Sequence, residues 1–187
     1  MTFDARLSFG KAGESHIAMY FRGRGFGVLP VYEKTDTEKK GPQIFLPVGS
    51  LISPDLLVFR NDRVFWIEAK HKTAFSWHRM TSQWVTGIDR RHFSEYLQVA
   101  QQTPWPVWLV FLHIGGAAKD SPTESPAGLF GNDIRKLALS INHQHDGWGA
   151  SGMVYWAIDS LILIAPLSAV MGEKNTDETS CRPKTCA

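Results

Sequence analysis

Asp55, Glu68 and Lys70 are the residues of this chain best suited to chemistry. Asp55 enters the apolar run Pro54-Asp55-Leu56-Leu57-Val58-Phe59. Glu68 and Lys70 close the next one, Val64-Phe65-Trp66-Ile67-Glu68-Ala69-Lys70. Both runs read as strands, joined by the turn-like Arg60-Asn61-Asp62-Arg63. Residues two apart on a strand point to one face. Glu68 and Lys70 therefore share a face, and Asp55 starts the neighbouring strand. Charges are rare in such strands unless paired or bound to metal. Two carboxylates and an amine converging on a sheet edge suit a divalent ion and an activated water. Phosphodiester hydrolysis needs both.

Plainer readings of these residues stand beside the chemical one. Asp55 at a strand entry can pair with Arg60 or Arg63, and Glu68 with Lys70 can form a salt bridge on an edge strand. The apolar character of both runs favours burial on both faces instead.

The elements that must position these groups follow from the apolar periods. A first helix is expected from about Ser8 to Phe21, with Glu14, Ile17, Ala18 and Phe21 on one face. That places a carboxylate on the core-facing stripe, although an acidic residue there can also act on the helix dipole alone. Gly23, Gly25 and Gly27 end the helix and lead into a strand over Gly27 to Tyr32. The Gly-x-Gly-x-Gly order is helix then strand, the reverse of a dinucleotide or P-loop motif. Glu33 to Gly41 reads as a loop or hairpin tip, and His71 to Gly87 mixes aromatics and bases without a clean period. A second helix runs from Asp89, as N-cap, to about Gln102, with Phe93, Tyr96, Leu97 and Ala100 as its stripe. Pro106 to Leu112 is a buried strand, and Gly115 to Gly128 a loop. A third helix is expected over Asn132 to Asn142, burying Ile134, Leu137, Ala138 and Ile141. Met153 to Trp156 and Leu161 to Ile164 read as a final hairpin. This order implies a mixed sheet flanked by helices.

The 187 residues, 43% of them hydrophobic, suffice for one domain with a core, expected over 1–171. The polar stretch 172–187 reads as a disordered tail. A net charge of +2 neither requires nor opposes nucleic-acid binding, so any basic surface must be local. Cys181 and Cys186 lie in that tail and make no disulfide framework, which fits a reducing cytoplasm. Met1-Thr2-Phe3-Asp4 has no signal pattern, and Asp159 and Pro166 break the greasiest stretch, so no membrane is expected as a partner.

Pro54-Asp55 followed by Glu68-Ala69-Lys70 resembles the signature of the PD-(D/E)XK nucleases, the restriction-endonuclease-like fold that includes Holliday junction resolvases. Glu14 is similar to the additional carboxylate of resolvase-like members. The resemblance covers about residues 8 to 112. It implies an α/β (α+β) fold with an αβββαβ core, a mixed central sheet and flanking helices. The third helix and final hairpin are additions. It further implies an Mg²⁺-dependent endonuclease on branched or structured DNA in recombination or repair, with Mn²⁺ able to substitute. Asp55 and Glu68 would be the ligands, with the Ala69 carbonyl completing the protein side. Glu14 would bind a second ion or place a ligand water. Lys70 would orient or deprotonate the attacking water, or hold the phosphate.

Lys70, His71, Lys72, Arg90, Arg91 and His92 are the expected DNA contacts, with Trp77 as a platform against nucleotides. Each has a bland counterpart as a solvated charge, a structural histidine or a core aromatic. Asn142-His143-Gln144-His145-Asp146 looks like a ligand cluster but reads better as solvated histidines at a helix end. The Gln-x-x-x-Tyr pattern of the exonuclease-like branch is missing, since Tyr96 and Gln98 stand in the wrong order. DNA is the expected partner, and a homodimer is an admissible assembly. A non-catalytic nucleic-acid-binding module, a sequence-specific restriction-type enzyme and a purely structural protein are the competing classes.

Overall fold

The two apolar runs pair as the middle of a six-stranded sheet. The computed structural model describes residues 3–31, 42–149 and 151–172. In chain order the elements begin with helix α1 (Phe3–Gly23) and strands β1 (Gly27–Pro30), β2 (Gln43–Phe45) and β3 (Ser50–Ile52). Strands β4 (Leu56–Arg60), β5 (Arg63–Lys72), β6 (Ser76–His78) and β7 (Gln83–Asp89) lead to helix α2 (Arg90–Gln102). Then come β8 (Val107–His113), β9 (Gly116–Ala117), β10 (Glu124–Ser125), β11 (Gly128–Asp133) and helix α3 (Ile134–Ala138). The last elements are β12 (His143–His145), β13 (Met153–Ala157), β14 (Ile162–Ala165) and α4 (Leu167–Met171).

The main sheet has the order β1-β4-β5-β8-β11-β14. Only the β5–β8 pair is parallel; the other neighbours are antiparallel. The architecture is therefore α+β, a central mixed sheet flanked by helices, as expected. A second antiparallel sheet, β12-β13-β7-β6, lies beside it. Strand alternation along β5 divides the core. Ile67 and Ala69 pack with Ile17 and Phe21 of α1 on one face. Trp66 packs on the other with Phe93 and Tyr96 of α2 and with Val154 and Trp156 of the second sheet. Helix α2 starts where expected, because the Asp89 carboxylate accepts from the Arg91 N–H at 2.9 Å.

Several boundaries and one pairing differ from the sequence reading. Helix α1 begins at Phe3 rather than Ser8. The aromatic segment 71–87 contains the hairpin β6–β7, in which Trp77 faces Trp84 across the strands. Asn132 and Asp133 belong to strand β11, opposite Leu109 and Trp108, so the third helix shrinks to five residues. Glycines at 128 and 131 disguised that strand, whose Leu129 and Phe130 are buried. The expected final hairpin does not form. Strand β13 pairs with β7 and β12, whereas β14 pairs with β11 in the main sheet. The 3-10 turn Ile158–Ser160 carries the chain from one sheet to the other. The predicted loop over Glu33 to Gly41 lies outside the described residues, as do 173–187 of the predicted tail and both cysteines. No described helix is long and apolar enough to cross a membrane.

Candidate active site

Glu68 is only 1% exposed and projects from β5 on the face that α2 covers. Lys70, on the same face, donates to Glu68 Oε1. Asp55 comes from the residue just before β4. The register sets Leu56 against Ile67, so Asp55 stands opposite Glu68 and Pro54 opposite Ala69. Proline has no N–H to give to the Ala69 carbonyl. The Ala69 N–H turns instead to Asp55 Oδ2, at 2.8 Å. The Pro-Asp pair thus ends the ladder, frees a carbonyl from its strand donor and fixes a carboxylate beside it.

The electrostatics follow from this crowding. Burial, then the charge of Glu68, pushes Asp55 from 3.8 to about 7, against the pull of Lys70 and the Ala69 N–H. Burial also opposes the Lys70 charge, but Glu68 and Asp55 outweigh it and lift its pKa above the ordinary value. Lys70 is therefore an ammonium throughout the physiological range. Burial and then Asp55 raise Glu14. The Glu68 Oε2 atom is buried without a hydrogen-bond partner. An uncompensated carboxylate oxygen of this kind is costly unless a cation meets it.

Glu14 lines a cleft of ≈ 560 Å³ between α1 and β1, together with Asp55, Lys11, Ser15 and Arg22. The expected gathering of three carboxylates is looser than the sequence implied. Among the described residues, no three His, Cys, Asp or Glu side chains are grouped closely enough to hold one ion. The reason is topological. Helix α1 covers the Ile67 and Ala69 face, while Glu68 points to the other. Asp55, beyond the end of β4, is sensed from both sides. The close acidic pair is Asp55 with Glu68, and Glu14 is its electrostatic neighbour.

The expected DNA contacts divide into two groups. Lys72 shares the face of Lys70, and burial followed by the Lys70 charge lowers it to about 8. His92 lies over Tyr96, with ring centroids 6.1 Å apart, and burial and Lys70 lower its pKa. The Arg91 side chain is 62% exposed, 3.8 Å from Glu95. Lys72 and His92 are thus neighbours of Lys70, and Arg91 is open to solvent on α2. His71 points the other way, toward α1, where a Cβ added at Gly13 would lie 2.3 Å from the His71 Cβ. Arg90 is ion-paired to Asp146. Trp77 packs edge-on to Trp84 at 5.2 Å across the β6–β7 hairpin, half-buried and outside both core clusters. His143 is stacked between His78 and Tyr155 at 4.0 and 4.5 Å, in strand β12 rather than at a helix end.

Sequence reasoning missed two contributions. Tyr96 is buried on α2, and burial and then Glu68 raise its phenol pKa, so it sits beside the Glu68 carboxylate. A tyrosine in an apolar helical stripe needs a partner for its hydroxyl, and that was the available signal. Lys11, Ser15, Ala18 and Arg22 form a stripe along α1 that the cleft exposes. Their i, i+4, i+7, i+11 spacing was legible.

Two carboxylates and a carbonyl with an ammonium beside them make a donor set of the kind that suits a divalent cation. No protein-family model and no curated protein sequence matches the chain. Among solved structures it is similar to a Holliday junction resolvase, Hjc, from the archaeal hyperthermophile Archaeoglobus fulgidus. The two share 9% identity at a TM-score of 0.48, over 81% of this chain and 90% of that one.

Proposed function

We propose that this protein is a divalent-metal-dependent deoxyribonuclease, an endonuclease hydrolysing phosphodiester bonds in branched or structured DNA during recombination or repair. The observation that carries the reading is the convergence of Asp55 and Lys70 on the buried Glu68. The preference for structured DNA rests on the resemblance of the motif to resolvase-like nucleases.

The donor set fits Mg²⁺, which takes one or two carboxylates and completes its shell with water and phosphate oxygen. Asp55, Glu68 and the Ala69 carbonyl would hold the ion, with Glu14 acting on its outer waters. When bound, Mg²⁺ or Mn²⁺ supplies Lewis-acid charge at the phosphate and lowers the pKa of a water. The remaining roles belong to the chain. Lys70 keeps its proton, so it acts as a fixed charge that holds a phosphate oxygen and orients the attacking water. Tyr96 lies beside Glu68 on the helix side and would limit its movement. Lys72 and Arg91 offer charge to neighbouring phosphates, contacts that position the duplex without reading its sequence.

Nicking of supercoiled plasmid with Mg²⁺, Mn²⁺ or chelator tests the reading, for wild type and Lys70→Ala. Metal-dependent cleavage should be lost in the variant while DNA binding by anisotropy persists. Equal cleavage by both would remove Lys70 from the chemistry. Binding without cleavage on plasmid, flap and four-way junction would make the protein a non-catalytic module.

A further inference from the structure

Residues 42–54 contain no charged side chain, yet they lead directly into Asp55. Most of this segment is the hairpin β2–β3. Its root is packed: Ile44 and its cross-strand partner Leu51 rest against the core cluster under α2, as does Ile52. The alternate pair, Phe45 and Ser50, points outward. The tip Leu46-Pro47-Val48-Gly49 is closed by the Leu46 N–H donating to the Gly49 carbonyl at 3.0 Å. Gly49 has φ +87°, a conformation that suits glycine, and Pro47 stiffens the turn. On this stiff projection Phe45 is 82% and Val48 91% exposed.

Single exposed apolar residues are ordinary on a protein surface. Two on one anchored tip, a few residues from an acidic site, are a different matter. Val48 and Asp55 are seven positions apart, a reach of at most about 25 Å. That is shorter than one turn of duplex, about 34 Å. A tip without charged side chains offers phosphates no ion pair, and its exposed ring and aliphatic group suit base faces. It is also too small to hold a second subunit, since a stable interface buries about 800 Å² per partner.

We propose that the β2–β3 hairpin is a base-stacking wedge. Phe45 packs onto the terminal base pair where a duplex is interrupted, close to the phosphate engaged at Asp55, and Val48 fills the space beside it. Apolar side chains insert between base steps in this manner when a duplex can be opened at low cost. The proposal rests on the nuclease reading, because the DNA must be seated at Asp55 for the tip to reach a base.

The test uses the full chain with Ca²⁺ in place of Mg²⁺ and 2-aminopurine in the terminal base pair beside a nick. Wild type should change the 2-aminopurine emission on binding. Phe45→Ala should abolish that change and weaken affinity for the nicked DNA about tenfold, with continuous duplex altered less than about twofold. Phe45→Tyr should restore both. An emission change that survives Phe45→Ala overturns the wedge. So does a variant that alters sedimentation but not emission, which would assign the tip to a contact between copies. Metal-dependent cleavage with an indifferent Phe45 removes the wedge alone. Failure of wild type to bind any DNA removes the nuclease reading along with it.

Discussion

Replacing Asp55 by asparagine should make the metal-free protein more stable. Asp55 is lifted from 3.8 to about 7, chiefly by burial and then by Glu68. A carboxyl raised on folding leaves stability intact below its unfolded pKa and loses it as pH climbs through the folded value. The full loss above neutrality is at most about 4 kcal/mol. An amide carries no such loss and can still accept the Ala69 N–H. Asp55→Asn should therefore exceed wild type by up to about 4 kcal/mol near pH 8, and by less than about 2 kcal/mol near pH 5. For a domain of this size the larger gap is roughly 8–16 °C in Tm. Thermal melts in chelator across pH measure it directly. Adding Mg²⁺ should raise the wild-type Tm and move the variant much less, since the variant keeps Glu68 as its only charged ligand of the pair. A variant that melts at or below wild type at pH 8, or a gap that ignores pH, refutes the reasoning.

Other expectations follow from the same geometry. Tyr96→Phe should weaken Mn²⁺ affinity by about tenfold, read by calorimetry, because partners behind a metal ligand typically matter on that scale. Lys72 loses its proton as pH rises through about 8. DNA affinity at fixed salt should accordingly fall between about pH 7 and 9 in wild type, and fall less in Lys72→Met, where only the Asp55 titration remains. Neutralising Arg91 should reduce the slope of log affinity against log salt by about one, with no change in metal binding. Gly13→Ala would drive a methyl into the His71 Cβ, so it should cost about 1–3 kcal/mol in chemical denaturation.

The β4–β5 hairpin with its charged groups was legible because period-two alternation and charge in apolar surroundings are both local signals. Residue order alone placed Glu68 and Lys70 on one face, and the turn residues set the register that brings Asp55 opposite Glu68. Asp89 as a cap was legible for the same reason. What failed were relations between distant segments. Whether Glu14 joins the acidic pair depends on which side of the sheet α1 lies, and helix periodicity is silent on that. The Gly128–Asp133 strand exists because β8 offers an edge, and its glycines mask any strand pattern. Met153 to Trp156 and Leu161 to Ile164 look like hairpin partners, but β7 and β11 compete for them and win. Tyr96 was visible as a helix-face residue, yet only the packing of α2 on β5 reveals its neighbour.

All three principal groups come from one excursion of chain, closed by Asn61 and Asp62. Hairpins of this size zip within microseconds, whereas the covering helices must travel farther along the sequence to dock. The acids and the ammonium can thus meet while water still surrounds them. Their dehydration is deferred until α1 and α2 arrive. Substitutions that relieve charge here should consequently slow unfolding and leave the rate of refolding almost untouched.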